Sequence, residues 1–382
     1  MSRRIGVLTT GRQDWGILRS TCLALREDSA FDLKLLVGGM HLSDAFGRTE
    51  FEIADDGFKA DAALPWISAD ASSDALEQSA RALEAVGHAL ERLDPEALLL
   101  VGDRFETAAA AIAATLSRVP VVHLHGGEET AGAVDNTLRH AITQMAQLHL
   151  VSHEAHRDRV VSMGIDPKTV HVVGAPGLDN LRRADLLTAG ELAQKLGMEL
   201  NHPLVVVTLH PSTASSVPGE AEVAALCEAM DEVAATFVIT LPNSDPGHLL
   251  IREALVRAAQ KPGRVAVEAL GSRGYWGLLS QADAMLGNSS SAIIEGSALG
   301  LPAVNIGDRQ QGRLRGNNVI DAPVDAVAIK SALRHALDPA TRRACQESGP
   351  FGHGRSADAI LDILRLWNPP FGRIVAVDRG GR

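Results

Sequence analysis

The chain has 382 residues, enough for two domains of ordinary size, and its 46% hydrophobic and 22% charged residues strike a globular balance. A formal net charge of −11 provides no basic footprint for a phosphate backbone, so nucleic acid is excluded as the expected partner. No apolar run approaches the roughly 20 residues that a bilayer span needs, which excludes a membrane helix.

The start, MSRRIGVLTTGRQDWG, has an apolar run too short for a signal peptide. Cys22, Cys227 and Cys345 lie far apart and form no CxxC pair, so neither a zinc knuckle nor a disulfide framework is expected. A soluble, cytoplasmic protein is the reading. Aromatic residues at 3% leave Ala, Leu and Val to build the cores.

Short β-branched runs recur along the chain. The first half has IGVLTT (5–10), LKLLVGG (33–39), ALLLVGD (97–103), VPVVHLHGG (119–127), LHLVSH (148–153) and VHVVGAPG (170–177). The second has PLVVVTLHP (203–211), TFVITLPN (236–243), RVAVEALG (264–271), ADAMLGN (282–288) and PAVNIGD (302–308). Nearly all-apolar strands alternating with helical patterns imply buried parallel sheets, here two Rossmann-like, doubly wound α/β domains. The break is expected in GAPGLDNLRRADLLTAGEL, giving an N-terminal domain over 1–178, a C-terminal domain over 179–368 and a tail from 369.

In open α/β sheets ligands bind outside the carboxyl ends of the strands. Polar residues gather at those ends: Arg12 and Asp14, His41, Asp103 and Arg104, His125 and Glu128, His210, Asn243 and Asp245, the serines, then Asp308 and Arg309. Two sheets facing each other by these edges would line one interdomain cleft with them.

VGDRFETAAAA places Asp103 either as the cap of an Ala-rich helix or as a ligand-facing carboxylate. Arg104 at a helix N-terminus opposes the macrodipole and asks for a partner anion. In VVHLHGGEETAGAVDNTLRHAIT, His123 and His125 share a strand face, and with Glu128 they have metal-ligand chemistry. No further ligand closes such a site, so no metal is expected. Gly126 and Gly127 allow a tight turn, with Glu128 and Asp135 flanking a short loop ahead of Arg139 and His140. Together with Asp103 these carboxylates either converge as proton donors and acceptors or cap helices and pair with arginines.

The stretch GNSSSAII (287–294) carries more serines than a helix cap requires. A strand-to-helix turn with free amides and hydroxyls is an anion cradle; Ser289, Ser290 and Ser291 supply both, and the amides are expected to bind a diphosphate. Glu295 repels phosphate and suits ribose hydroxyls; phosphate plus ribose means a nucleotide. GxGxxG after the first strand and the Walker lysine pattern are both absent, which excludes a nicotinamide cofactor and P-loop hydrolysis.

These residues sit in GRQDWG, GGMHLSDAFG, VGDRFE, HGGEET, DNTLRHAIT, LHPST, LPNSDPG, GNSSSAIIE and NIGDRQQGR. In that order, from residue 9 to about residue 320, they resemble the UDP-N-acetylglucosamine 2-epimerase family, specifically its hydrolysing branch. The resemblance implies the GT-B type of two-Rossmann fold and no cofactor. It implies UDP contacts at Arg12, Arg104, His210, Asn243, Ser289, Ser290, Glu295 and Arg309, with Leu270 in LGSRGYWGLL shaping the uracil or sugar pocket. It implies catalytic roles for Asp103, Glu128, Asp135, His210 and His41. The implied reaction is anti elimination of UDP to a 2-acetamidoglycal, followed by hydration with inverted C2 configuration. A homodimer is the assembly the family implies.

Asn136 departs from the family pattern, where a second acidic residue is usual, and leaves the C2 base open between Asp135 and Glu128. The rival readings are the non-hydrolysing branch of the family, a silent nucleotide-sugar sensor, which Asn136 keeps open, and a GT-B glycosyltransferase, against which the carboxylates of HGGEET and AVDNT argue for proton chemistry at the sugar. The helix around AILDILRLW is expected to return to the N-terminal domain.

Overall fold

Each apolar run read from the sequence contains a strand. The computed structural model describes residues 2–67, 74–129, 135–212, 217–242, 247–345, 349–352 and 354–369. Contacts divide the described residues into two units, one holding residues up to Glu128, residues 135–177 and again from Arg355, the other holding Glu129 and Leu178–Gly354.

The first unit contains β1 (Arg3–Thr9), β2 (Phe31–Gly38), β3 (Ala62–Leu64), β4 (Ala97–Val101), β5 (Val121–Leu124), β6 (Leu148–Val151) and β7 (Val170–Val172). They form one sheet in the order β3-β2-β1-β4-β5-β6-β7, every pairing parallel. The second contains β8 (Leu204–Thr208), β9 (Thr236–Thr240), β10 (Arg264–Val267), β11 (Ala284–Gly287), β12 (Ala303–Ile306) and β13 (Val319–Ala322), ordered β10-β9-β8-β11-β12-β13 and again parallel. The winding reverses between β1 and β4 in one sheet and between β8 and β11 in the other. Such switch points open a crevice at the strand ends where ligands bind.

Two strands, β3 and β13, escape the sequence reading. Both lie at a sheet edge, and each mixes buried with more exposed positions. A half-covered edge strand lacks the continuous apolar run that marks a central one.

The cores follow from the composition. One face of the first sheet packs Ile5, Val7, Leu35 and Leu99 against Trp15, Leu18 and Leu25 of the helix Arg12–Glu27 and Ile360, Leu361 and Leu364 of the helix Ser356–Leu366. Arg3 secures that last helix by donating to the carbonyls of Trp367, at 2.6 Å, and Leu364. The other face takes the helices Ala75–Leu93 and Phe105–Leu116. Buried alanines of the second helix, among them Ala109, Ala110 and Ala113, let those helices approach closely. Among the described residues no helix is long and apolar enough to cross a membrane.

Candidate active site

In the first unit the polar residues cluster where β1, β4 and β5 end. Beyond β4 the chain passes through Gly102 to Asp103 and Arg104, and the helix Phe105–Leu116 begins. Arg104, not Asp103, occupies the cap position, and no side chain caps this helix. Asp103 instead pairs with Nη2 of Arg139, a nearly inaccessible guanidinium on the helix Asp135–Met145. Nη1 of Arg139 donates to the Glu128 carbonyl at 2.7 Å and to Oδ1 of Asn136 at 3.0 Å. A planar guanidinium offers five donors in a rigid fork, so one residue fixes three neighbours. Asn136, the departure from the family pattern, thus serves Arg139 as a neutral acceptor.

Arg104 meets an anion within its own unit. Its Nε and Nη2 lie 3.2 and 3.1 Å from the carboxylate of buried Glu106. Part of the charge conflict that pointed to a ligand is therefore resolved by the protein itself. Arg12 opens the helix Arg12–Glu27, half-buried. Near it, Asp14 accepts from Thr10 N at 2.8 Å and Thr10 Oγ1 at 2.6 Å, and burial raises its pKa to about 6.

The turn after β5 has an unusual backbone. His125 adopts φ +62° and Gly127 φ +76°. A Cβ on Gly127 would sit 2.4 Å from the His156 carbonyl oxygen, so only glycine fits there. The turn delivers the Glu128 carboxylate to two partners: Nδ1 of His125 at 2.6 Å and Oγ of Ser152, which donates at 2.9 Å. Ser152 also contacts Nδ1 of His156 at 2.9 Å, and Arg159 donates to the Gly127 carbonyl. His123 spends both ring nitrogens on the protein, Nε2 on the Gly102 carbonyl at 2.8 Å and Nδ1 on Thr143 Oγ1 at 3.2 Å. Burial pushes its pKa down to about 4.

His41 is fully buried between two hydroxyls, with Nε2 2.9 Å from Thr9 Oγ1 and Nδ1 2.8 Å from Thr49 Oγ1. Burial lowers its pKa to about 4, so it is a neutral link between the end of β1 and the helix Glu50–Asp55. Asp135 starts its helix, its side chain outside the described residues.

In the second unit the organiser is Asn288, fully buried just beyond β11. Its Oδ1 accepts from His210 N at 2.8 Å, and its Nδ2 donates to the His210 carbonyl at 2.9 Å. Its own carbonyl accepts from Arg309 Nη1 at 3.2 Å and Gln310 Nε2 at 2.7 Å. Gly287 makes this approach possible. At φ +137° a Cβ there would lie 1.9 Å from the Thr208 carbonyl oxygen.

The three serines divide the work. Ser289 caps the short turn Ser290–Ala292, with Oγ accepting from Ser291 N at 3.3 Å. Ser291 Oγ pairs with Tyr275 OH at 2.7 Å. The half-buried hydroxyl of Ser290 has no protein partner among the described residues. Glu295 opens the helix Glu295–Ala298 directly behind. Leu270 packs into the core with Leu278, Leu279 and Ala292, and its carbonyl accepts from Lys195 Nζ at 3.2 Å. Asn243 lies outside the described residues.

The structure therefore gathers Asp103 and Glu128 on Arg139 in one unit, and His210, the serine turn and Arg309 on Asn288 in the other. Arg139, Asn288, Ser152 and Glu106 hold these sites, and sequence reading assigned none of them a role. All four stand inside or beside quoted motifs or on neighbouring strands; Glu106 meets Arg104 two residues away, but the Asp103–Arg139, Glu128–Ser152 and His210–Asn288 partners are 36, 24 and 78 residues apart.

The family model described as UDP-N-acetylglucosamine 2-epimerase matches residues 23–365. The GDP/UDP-N,N'-diacetylbacillosamine 2-epimerase (hydrolyzing) of Campylobacter jejuni is 36% identical over 327 residues, 85% of each chain. The UDP-N,N'-diacetylbacillosamine 2-epimerase (hydrolyzing) of Legionella pneumophila is 34% identical over 372 residues, 96% of each chain. Among solved structures, UDP-GlcNAc 2-epimerase from Neisseria meningitidis bound to UDP-GlcNAc superposes with a TM-score of 0.82 at 17% identity, covering 95% of this chain and 99% of that one. A structure from Listeria monocytogenes gives 0.81 at 17%, covering 96% of each. At such identities the likeness is one of fold, the GT-B-like class of two parallel α/β sheets.

Proposed function

The chain belongs to the UDP-N-acetylglucosamine 2-epimerase family, and within it we propose that the protein is a hydrolysing enzyme. It converts a UDP-2-acetamido sugar to UDP and the free 2-epimeric, manno-configured sugar. The names of the Campylobacter and Legionella relatives favour UDP-N,N'-diacetylbacillosamine as substrate over UDP-N-acetylglucosamine. A relative named polysialic acid biosynthesis protein P7, from Escherichia coli and 32% identical over 339 residues, supports a product destined for nonulosonic acids. We place the reaction in the cytoplasm and assign a homodimer.

A base takes the C2 proton, the C–H electrons form the C1=C2 double bond, and the C1–O bond breaks with its electrons leaving on UDP. Water then adds its oxygen to C1, and C2 is protonated on the opposite face. UDP is assigned to Arg12, Arg104, His210, Asn243, Ser289, Ser290, Glu295 and Arg309, with Leu270 beside them. Cations and hydroxyls of this kind stabilise the leaving anion. Asp103, Glu128 and Asp135 are assigned to the sugar, where carboxyl groups move protons. His41, with both ring nitrogens on threonine hydroxyls, is assigned the role of holding the loop after β2 beside them.

The observation that carries the reading is the gathering of Asp103 and Glu128 on buried Arg139 at the strand ends. Proton NMR with each UDP-sugar in deuterated water tests it. Free UDP appearing in step with a manno sugar deuterated at C2 is the expected result. A product still attached to UDP would mean the non-hydrolysing reaction, and intact substrate in both tubes would remove the proposal.

A further inference from the structure

Glu128 is the acidic residue that the family resemblance puts at the sugar, yet its carboxylate is already occupied. It binds His125 Nδ1 at 2.6 Å and accepts from Ser152 Oγ at 2.9 Å, and Arg139 fixes its backbone carbonyl at 2.7 Å. Its histidine partner is in the opposite condition. Nε2 of His125 is buried and has no hydrogen-bond partner among the described residues, in a residue only 8% exposed. A buried polar atom left unpaired costs about 1–3 kcal/mol, so such atoms persist where something else is gained.

The backbone at His125 carries a second cost. A non-glycine residue at φ +62° is uncommon and stays there only when its surroundings over-determine it. Here they do: Gly127 fits against the His156 carbonyl, Arg159 holds the Gly127 carbonyl, and Glu128 holds the imidazole. The turn spends strain and an unpaired nitrogen to present one ring atom.

The chemistry of that atom follows from its partner. An ionised carboxylate accepts only, so the His125–Glu128 contact requires a hydrogen on Nδ1. In the neutral imidazole Nε2 is then a lone pair, which is a base. A carboxylate that fixes the tautomer of a histidine and balances the imidazolium when it forms is the arrangement used to move protons.

We propose that Nε2 of His125 is the group that takes the proton from the sugar, and that Glu128 is a positioning residue acting through it. This rests on the epimerase reading above and names the base within it. In the balanced step, Nε2 gains the C2 proton as the C2–H electrons become the C1=C2 bond and UDP departs with the C1–O pair. Because C2 is reprotonated on the other face, the imidazolium returns its proton to solvent, and C2 of the product carries solvent hydrogen.

Three variants test the assignment by kcat, KM and UDP affinity. His125→Asn keeps an N–H for Glu128 and tolerates positive φ, but lacks the outer nitrogen. Its kcat should fall about a thousandfold, in the range for a lost general base, with UDP affinity within about twofold of the wild type. His125→Gly also accepts the backbone and leaves room for a free ring, so added imidazole should restore at least about tenfold of its turnover. Glu128→Gln should lose kcat less than His125→Asn does, with KM little changed. A His125→Asn enzyme within about threefold of wild-type kcat would overturn the inference, as would a Glu128→Gln enzyme worse than it with no imidazole rescue of His125→Gly. If the wild type itself releases no UDP from either UDP-sugar, the epimerase reading fails and this one with it. Turnover by the wild type combined with an active His125→Asn fails this inference alone.

Discussion

The side-chain amide of Asn288 grips both backbone groups of His210, accepting from its N–H at 2.8 Å and donating to its carbonyl at 2.9 Å. The two residues lie 78 positions apart, on the loops after the neighbouring strands β8 and β11. Whatever occupies the serine turn therefore shares a rigid frame with His210.

Replacing Asn288 by alanine removes the two hydrogen bonds it makes to the His210 backbone, at a cost of about 2–4 kcal/mol. UDP affinity should fall about tenfold or more, because His210 loses its anchor, while the backbone carbonyl that holds Arg309 remains. Asn288→Asp retains the acceptor and loses the donor, so it should fall between. Urea unfolding and calorimetric titration with UDP read the two effects. A destabilised Asn288→Ala protein that binds UDP as well as the wild type would reduce Asn288 to a purely structural part.

The Asp103–Arg139 pair predicts a separation of stability from turnover. Arg139→Met removes the cation and leaves Asp103 and the Glu128 carbonyl without their donor. The loss is expected to be about 1–3 kcal/mol, less than for a fully buried pair, because the Asp103 carboxylate left behind is 23% exposed. Asp103→Asn keeps an acceptor for Arg139, so UDP should still bind while release of the free sugar stops. Equal turnover by Asp103→Asn and the wild type would remove Asp103 from the chemistry.

The serine turn predicts two opposite alanine variants. Ser291→Ala breaks the bond to Tyr275 and should cost about 1 kcal/mol of stability with little change in UDP affinity. Ser290→Ala breaks no protein bond among the described residues, so its melting temperature should stay put while UDP affinity drops. Thermal melts with and without UDP distinguish them, and the reverse pattern would mean that Ser291 is the ligand contact.

Acid should destabilise the first unit. Burial depresses the pKa values of His41, His123 and His156 to about 4 and that of His149 to about 3, against an unfolded value near 6.5. Their contribution is present above about pH 6.5 and is lost as pH falls through the folded values, because the unfolded chain takes up protons that the folded one refuses. Asp14 works the other way. Its pKa is raised to about 6, so its contribution is present below its unfolded value and lost as pH rises through 6. Four histidines outweigh one aspartate, and melting temperature should drop steadily from pH 7 to pH 4.5. His149→Leu should flatten that slope, and a wild-type melting temperature independent of pH would contradict the assignment.

The sequence by itself determined the class of fold, most of the strands and the loops that carry chemistry. These are local properties: an all-apolar run marks a buried strand, and a polar or glycine-rich junction after it marks the carboxyl edge of a parallel sheet. The motifs were equally legible because a resemblance needs only residues in order. The tertiary structure decided everything that joins distant residues. It put β1 beside β4 and β8 beside β11, and added β3 and β13 at edges too half-exposed to read. It gave Asp103 to Arg139, 36 residues away, where the sequence left a helix cap open. It buried His41 between two threonines and Leu270 in the core, and it turned His125 into a left-handed conformation. Each of these depends on which backbone and side-chain groups meet once the sheets form. Hydrogen bonds of that kind are fixed by strand register and close packing, and neither is written in any short stretch of the chain.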